Sequence, residues 1–311
     1  MTRIDVLGIG CAAIDDTIYI SGIPPTNGKT RVVAMSRDFG GLTATALAAA
    51  SRLGAKCYFA GMLGSDRDSI AVVRDLRRAG VVVSRREICD DARPFRSTII
   101  TSIDQGSRAI YFCRPSVVGA HPGIPERTIR SSRVLLVDGY GIDGSLRASE
   151  IARSAGIPIV ADFDDMGEEG FPRLLELVDH LILSAGFARS LTGASSTTAA
   201  LGALWSDRRT LLAITDGEDG CWVMTRNCRE AVHVPAYQVV AVDTTGCGDV
   251  FHGAYAAALA FRYETLRAVQ FASVAAGLKA AHRGTREALP SRTDVESRLS
   301  VGDRNTAVRS R

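Results

Sequence analysis

The segment best suited to chemistry is Gly246-Cys247-Gly248-Asp249, which lies between two threonines and an apolar run. Two glycines around one small residue let successive backbone N–H groups point into one concavity that holds an anion. A helix beginning here would add the positive end of its dipole. A bound phosphate would repel Asp249, so we expect this carboxylate to act on another group. Removal of a proton from a substrate hydroxyl fits that position.

A second glycine-rich turn, Thr215-Asp216-Gly217-Glu218-Asp219-Gly220, precedes this segment in the chain. Its threonine hydroxyl and its backbone N–H groups at the glycines can bind a nucleotide phosphate. Such a stretch is equally an ordinary hairpin turn. Its place shortly before the anion-binding segment favours the nucleotide-binding interpretation.

Two features near the N-terminus are candidates for the other side of a substrate site. Asp15 follows the apolar run 4–9, and ligands of open α/β sheets bind at the carboxyl ends of strands. The alternative is an aspartate that only caps a turn. Gly40-Gly41 precedes the alanine-rich segment 42–53, which predicts a helix. The glycine pair is either a tight turn or a place where the backbone approaches a substrate closely.

The order of apolar segments predicts an α/β fold. From residue 134 onward, short apolar runs alternate with helix-like segments, which indicates a doubly wound, mostly parallel sheet flanked by helices. The first two β runs lie apart from any helix, which suggests a small antiparallel sheet, and we expect the later runs to join it as one β-sheet lid. These runs are 17–20, 30–35, 81–83, 96–103 and 108–113.

Composition indicates a soluble protein of one domain. The chain has 311 residues, 46% hydrophobic residues and a net charge of +3 with scattered basic residues, so nucleic acid is not an expected partner. No apolar run approaches the ~20 residues of a membrane helix. Seven cysteines without a CxxC pair predict free thiols in a reducing cytoplasm. We expect one domain over 1–300 and a disordered polar tail over 301–311.

Residues 243–253 resemble the C-terminal signature of the ribokinase-like (PfkB) carbohydrate kinases. Gly40-Gly41, the segment 51–55 and Gly64-Ser65-Asp66 resemble the N-terminal signature of that family, and the resemblance runs from about residue 4 to residue 297. It implies a ribokinase-like α/β domain with a β lid over the sugar, formed by about 15–38 and 93–115. It also implies ATP and a small sugar as substrates, with no membrane partner, and a homodimer formed through the lid.

The resemblance also assigns roles to single residues. Asp249 matches the catalytic base, and the backbone of Gly246, Cys247 and Gly248 matches the anion hole for the transferred phosphoryl group. Asp15, Gly40 and Gly41 match the sugar site. The residues that match the ATP site are Thr215, Gly217 and Gly220 at the phosphates and ribose, with Lys279, Gly284 and Thr285 over the adenine.

Several positions depart from the family pattern. The usual Asn-x-x-Glu, which organises Mg²⁺, falls at Ser184-Ala185-Gly186-Phe187, and the sugar-binding asparagine is replaced by Thr45. Asp162 and Asp164 could supply part of the outer shell of Mg²⁺, which prefers oxygen ligands and keeps several waters. They could equally be loop acids that face solvent. ATP and Mg²⁺ are the expected cofactors, and a monovalent cation is a further candidate.

The missing Asn-x-x-Glu and the Asp-Val-Phe-His-Gly run are similar to the sulfofructose kinase branch of the family. Arg114 is the one basic candidate for substrate binding near the lid, and a surface charge is the alternative. We therefore expect a fructose-, ribose- or related-sugar kinase. A nucleoside kinase of the same family and a catalytically silent sugar or nucleotide sensor are the alternatives.

Overall fold

The computed structural model describes residues 3–22, 27–84, 88–105 and 107–299. In chain order its strands are β1 Ile4–Ile9, β2 Ala13–Ile20, β3 Val32–Gly40, β4 Cys57–Phe59, β5 Val82–Val83, β6 Phe95–Ser102, β7 Ser107–Cys113, β8 Ser132–Asp138, β9 Ile159–Asp162, β10 His180–Ser184, β11 Leu211–Thr215, β12 Cys221–Thr225 and β13 Cys228–Val234. Its helices include α1 Leu42–Arg52, α2 Arg67–Arg78, α3 Glu126–Arg130, α4 Ile142–Ser154, α5 Phe171–Leu177, α6 Ala185–Thr192, α7 Thr197–Leu204, α8 Cys247–Ala260 and α9 Thr265–Ala280.

Among the described residues, nine strands form one sheet in the order β13-β12-β11-β10-β9-β8-β1-β4-β5. The ladders from β5 to β11 are parallel, whereas β12 pairs antiparallel with both of its neighbours. Alternate residues of β8 enter the cores on opposite faces, with Val134 and Leu136 on one side and Leu135 and Val137 on the other. Apolar residues on both faces require helices on both faces. The predicted doubly wound sheet is confirmed.

A separate four-stranded sheet has the order β3-β2-β6-β7. It contains four of the five runs predicted for the lid, and the prediction of a small separate sheet is confirmed. The fifth run was assigned wrongly, because β5 pairs in parallel with β4 at the edge of the large sheet. Helix α2 connects β4 to β5, so this segment is an ordinary βαβ crossover.

The order of strands reverses around β1, because the chain passes from β1 to β4 on one side and later to β8 on the other. Ligands of doubly wound sheets bind at such a point, beyond the carboxyl ends of the strands. Asp138 closes β8 there and is fully buried. It accepts hydrogen bonds from the Cys11 backbone (2.7 Å), the Thr43 hydroxyl (2.8 Å) and the Tyr140 backbone (3.0 Å). It therefore ties the loop after β1 to the start of α1.

Two further differences from the sequence predictions concern single strands. The strand predicted from Cys57 to Leu63 ends at Phe59. Strand β13 has mostly exposed residues and no apolar run, which explains why the sequence did not predict it. The predicted disordered tail 301–311 lies outside the described residues. In the part of the chain that the structure describes, no helix is long and apolar enough to cross a membrane.

Candidate active site

The anion-binding segment predicted from the sequence is the start of α8. Gly246 has φ 74°, a left-handed conformation that glycine adopts without steric cost, and the helix begins at the next residue. The Cys247 N–H donates to the Thr244 carbonyl (3.2 Å) and belongs to the preceding turn. The N–H groups of Gly248 and Asp249 lie in the first helical turn and have no acceptor within the helix. They are available to an anion.

The carboxylate of Asp249 lies directly beside this turn. A Cβ atom built on Gly246 would be 3.6 Å from Asp249 Oδ2 and 3.6 Å from Thr45 Cγ2, so α8 and α1 meet at one point. Burial raises the pKa of Asp249, and the charge of Asp162 raises it further, whereas the charge of His252 opposes the shift. A half-buried aspartate whose pKa is raised, next to an anion site, could accept a proton from a hydroxyl.

The charged groups that act on Asp249 include His252, Asp162 at the end of β9 and Asp164 in the loop after β9. His252 Nδ1 lies 2.8 Å from the Gly248 carbonyl and 3.1 Å from Asp162 Oδ2, and its Nε2 lies 3.0 Å from the Ile182 carbonyl. Asp164 accepts a hydrogen bond from the Tyr140 hydroxyl (3.0 Å). Burial raises the pKa of both aspartates. His252 was not among the site residues predicted from the sequence, although its position three residues after Asp249 was a usable signal.

A cavity of about 480 Å³ opens on the other side of the turn. The anion-binding segment contributes Thr244, Cys247 and Gly248 to the wall of this cavity. The predicted nucleotide residues Thr215, Gly217 and Gly220 also line it, together with residues 184–186, 236–239, Ala241, Ala276, Gly277 and Ala280. Its volume is within the range of small-molecule and cofactor sites. Ser184 caps α6 by accepting the Phe187 N–H (3.2 Å), so the departure from Asn-x-x-Glu leaves an uncharged wall here.

The three residues predicted to cover the adenine do not line this cavity. Lys279 is fully buried, and its Nζ donates to the Asp243 carbonyl (2.8 Å). The Gly284 N–H donates to Asp243 Oδ2 (3.1 Å). The Thr285 hydroxyl donates to the Phe39 carbonyl (3.2 Å), next to the double glycine. The loop after α9 therefore joins the turn before α8 to the small sheet.

The candidate sugar side lies where the small sheet meets α1. Asp15 is on β2 opposite Asp38 on β3, and burial raises the pKa of Asp15 against a hydrogen bond from Ser97. A Cβ atom on Gly40 would collide with the Asp15 carboxylate. One on Gly41, which has φ 89°, would lie 2.5 Å from Ala12 Cα. Glycine is therefore required at Gly41, whereas a side chain at Gly40 would displace the Asp15 carboxylate.

Arg286, which was not predicted from the sequence, connects the candidate sugar side to Asp249. Its guanidinium donates to Asp75 Oδ2 (2.9 Å) and to the Thr45 hydroxyl (3.2 Å), and its side chain is 13% exposed. Its charge lowers the pKa of Asp249 and of Asp15 against the larger effect of burial. Arg286 therefore links three residues that were predicted from the sequence. It donates to Thr45, and its charge acts on the carboxylates of Asp15 and Asp249.

Arg114, the remaining predicted substrate residue, is already engaged by carboxylates. Its guanidinium pairs with Asp165 (3.3 Å) and with Glu168, and it stacks 5.1 Å from the centre of the Tyr140 ring. Glu168 also accepts the Ile142 N–H (3.0 Å) at the start of α4. These contacts fix the loop after β8, which carries Tyr140, against the loop after β9, which carries Asp164.

Comparison with known proteins identifies the family. The model of the pfkB family carbohydrate kinases matches residues 1–292, which is nearly the whole chain. The chain belongs to this family. It is therefore a carbohydrate kinase, an enzyme that transfers a phosphoryl group to an alcohol group, and its fold is ribokinase-like.

Individual relatives of the PfkB family agree with this assignment. The chain is 27% identical to a ribokinase of Bacillus subtilis, with 96% of this chain and 100% of the relative covered. It is 26% identical to fructokinase-1 of Oryza sativa subsp. japonica, with 93% and 96% covered. An Arabidopsis thaliana ribokinase solved with ribose and ATP has a TM-score of 0.80 at 20% identity, with 96% and 98% of the chains covered, which shows the shared fold.

Proposed function

We propose that the protein is an ATP-dependent kinase of a neutral sugar, in which Asp249 is the general base. The observation that supports this function is the position of the Asp249 carboxylate beside the turn at Gly246. Residues of this turn line the nucleotide-sized cavity, and Thr45 of the candidate sugar side lies against the same turn. ATP occupies the cavity with its γ-phosphate at the N-terminus of α8. The sugar lies between Asp15, the double glycine and the small sheet, with one hydroxyl directed at Asp249.

In the reaction, the sugar hydroxyl oxygen attacks the γ-phosphorus as its proton passes to Asp249. The bond from the γ-phosphorus to the bridging oxygen breaks, and ADP leaves. The N–H groups of Gly248 and Asp249 and the dipole of α8 stabilise the charge on the transferred group, which is the main requirement of phosphoryl transfer. Closure of the small sheet over the sugar would exclude water and so limit hydrolysis of ATP.

The carboxylates of Asp162 and Asp164 could help to hold Mg²⁺ at this site. Asp162 Oδ2 is buried and accepts no hydrogen bond of normal geometry in the described structure, whereas Asp164 is held by Tyr140. Among the described residues no group of three His, Cys, Asp or Glu side chains could enclose a metal ion. Mg²⁺ commonly binds through substrate phosphates and waters with one or two carboxylates. We propose Asp162 and Asp164 as its outer ligands, where the ion would neutralise phosphate charge.

The electrostatics of the sugar side favour neutral acceptors. Asp15 and Asp38 face each other across β2 and β3, and Arg286 is already paired with Asp75. Arg114 is paired with two carboxylates, so it offers a sulfonate little net positive charge. We therefore propose a ribose- or fructose-type sugar as the substrate, and a sulfosugar is not favoured.

The experiment that tests this function is a screen for ADP release over pentoses, hexoses, sulfosugars and nucleosides, with and without Mg²⁺. A neutral sugar is expected to give the highest kcat/KM. A nucleoside kinase would need aromatic stacking for the base, and faster turnover of a nucleoside would favour that alternative. ATP binding without turnover on any acceptor would favour the silent homologue.

Substitution of Asp15 by alanine is expected to raise the KM for the sugar about 10-fold or more, because hydrogen bonds to a charged group contribute ~1.5–3 kcal/mol. The KM for ATP should change little. Asp16→Ala is the matched control. The Asp16 carboxylate is on the opposite face of β2 from that of Asp15, and it pairs with Arg37 and Arg96. Steady-state kinetics with both substrates varied would decide. An unchanged sugar KM in Asp15→Ala would place the sugar elsewhere.

A homodimer formed through the small sheet is also part of the proposal. Val33 and Met35 on β3 and Tyr111 and Phe112 on β7 are 58–68% exposed, which is unusual for large apolar side chains. Light scattering of the purified protein would test the dimer, and a monomer at all concentrations would exclude it.

All seven cysteines carry free thiols, which supports a reducing cytoplasm as the location.

A further inference from the structure

Lys279 is an ammonium group buried completely at the base of the catalytic turn. It lies in the last turn of α9, it is one of three lysines in the chain, and its side chain has no exposed surface. Burial of a charge is costly unless the charge is paired. Lys279 therefore needs a specific partner, and the surrounding contacts show which one it has.

The partner of Lys279 is Asp243, three residues before Gly246. Nζ lies 2.8 Å from the Asp243 carbonyl oxygen and 3.5 Å from Asp243 Oδ2. The same carboxylate accepts the Thr245 N–H (2.9 Å) and the Gly284 N–H (3.1 Å). Burial works against ionisation of Asp243, but the Thr245 hydrogen bond and the Lys279 charge outweigh it and lower its pKa.

Backbone contacts fix the same junction from the other side. The Ala280 carbonyl, next to Lys279, accepts the N–H groups of Val242 (2.8 Å) and Asp243 (3.1 Å). The end of α9, the turn before α8 and the Gly284 loop therefore converge where Lys279 Nζ contacts two oxygen atoms of Asp243. A backbone carbonyl and a carboxylate are the ligands that a bound monovalent cation would also use.

We propose that Lys279 is a tethered cation that holds residues 243–246 in the anion-binding conformation, so that the enzyme needs no dissociable monovalent cation. Lys279 is a positioning residue in this account, because it does not line the nucleotide cavity and acts through Asp243. Without the cation, the Asp243 carbonyl and carboxylate would be left close to each other at a half-buried site with no positive charge between them. The turn would then move away from the position that binds the γ-phosphate.

The wild-type enzyme provides the first test. Its activity is measured with Mg²⁺ and the Tris salt of ATP in tetramethylammonium chloride, and K⁺, Na⁺ or NH₄⁺ is then added at equal ionic strength. The proposal predicts the same kcat and the same KM for ATP in all four salts. Strong activation by K⁺ or NH₄⁺ would overturn it, because the site would then require a free cation.

Two substitutions separate the charge of Lys279 from its volume. Lys279→Ala removes the charge and leaves space, and kcat/KM for ATP is expected to fall about 10²-fold, the scale of a displacement of ~1 Å at an active site. Addition of NH₄⁺ or methylammonium should restore part of the activity. Lys279→Met removes the charge but fills the space, so these cations should not restore its activity. Lys56→Ala, at an exposed lysine, is the control and should behave as wild type.

A second readout does not depend on catalysis. Binding of ADP, measured by calorimetry, and the thermal unfolding temperature are both expected to recover with NH₄⁺ in Lys279→Ala and not in Lys279→Met. The inference rests on the proposed function only for the kinetic readout, so these measurements remain decisive if the acceptor is not a sugar. A folded Lys279→Ala variant with normal ADP binding and activity, or one that recovers no more than Lys279→Met, would overturn the proposal.

Discussion

Replacement of Asp249 by asparagine is expected to lower kcat by about 10²–10⁴-fold, the usual contribution of a general base. Asparagine has nearly the same shape, so the N-terminal turn of α8 should keep its conformation, but the amide cannot take the hydroxyl proton. ADP and the sugar should therefore still bind. Rapid-quench or steady-state kinetics and calorimetry on the same preparation would measure both effects.

The control for this substitution is Asp207→Asn, because Asp207 is an exposed carboxylate that pairs with Arg229 at the surface. It should leave kcat unchanged. A near-normal kcat in Asp249→Asn would mean that another group accepts the proton. Loss of ADP binding together with kcat would instead show that the substitution had disturbed the turn.

The pH dependence of the wild-type enzyme is a related expectation. Burial raises the pKa of Asp249, so its proton is retained at a higher pH than in an exposed aspartate, whose pKa is about 3.9. A protonated base cannot accept the hydroxyl proton. As pH falls through this raised pKa, kcat/KM for the sugar should decrease, and a pH–rate profile would show an acidic limb above pH ~4. A profile that stays flat to about pH 4 would contradict the assignment.

Substitution of Gly253 by alanine is expected to destabilise the fold by about 1–3 kcal/mol, as overpacking of a core usually does. A Cβ atom at this position would collide with the backbone carbonyl of Ala46, where α8 crosses α1. Backbone cannot rotate away as a side chain does, so the two helices would have to separate. Denaturant unfolding would measure the loss, and kcat should fall as well because α8 carries Asp249.

Gly202→Ala is the matched control for the packing argument. Gly202 lies in α7, and no atom of a neighbouring element lies within 4 Å of a Cβ atom built there. Alanine should therefore keep or raise stability, by up to about 1 kcal/mol, because it has the higher helix propensity. Equal stability of Gly253→Ala and wild type would show that α1 and α8 do not pack as closely as the structure has them.

The parts of the molecule that depend on local patterns were predictable from the sequence. The apolar strands from β8 to β12, the alanine-rich α1 and the start of α8 each have a signal within a few residues. The anion-binding segment and its carboxylate were equally predictable, because Gly246 and Asp249 are only three residues apart. The small sheet was predicted from two pairs of neighbouring β runs, 17–20 with 30–35 and 96–103 with 108–113, because neither pair has a predicted helix within it.

The errors and omissions concern contacts between distant residues. Residues 81–83 have the same composition whichever sheet they join, and their pairing with β4 decides the outcome. Arg286 reaches Thr45, which is 241 residues earlier in the chain. Lys279 has the usual place of an exposed lysine in a last helical turn, and only the packing of α9 against the turn at Asp243 buries it. The spacing of residues within a motif does not reveal contacts between residues so far apart in the chain.

The central claim is that ATP and a sugar meet across Asp249, and phosphorus NMR of the reaction mixture tests it most directly. The enzyme, Mg²⁺, ATP and the best sugar of the ADP-release screen are followed over time, beside Asp249→Asn. We predict a sugar phosphate ester formed in equal amount to ADP by the wild type, and neither product at a comparable rate in the variant. Release of ADP with inorganic phosphate alone, or equal ester formation by Asp249→Asn, would contradict the claim.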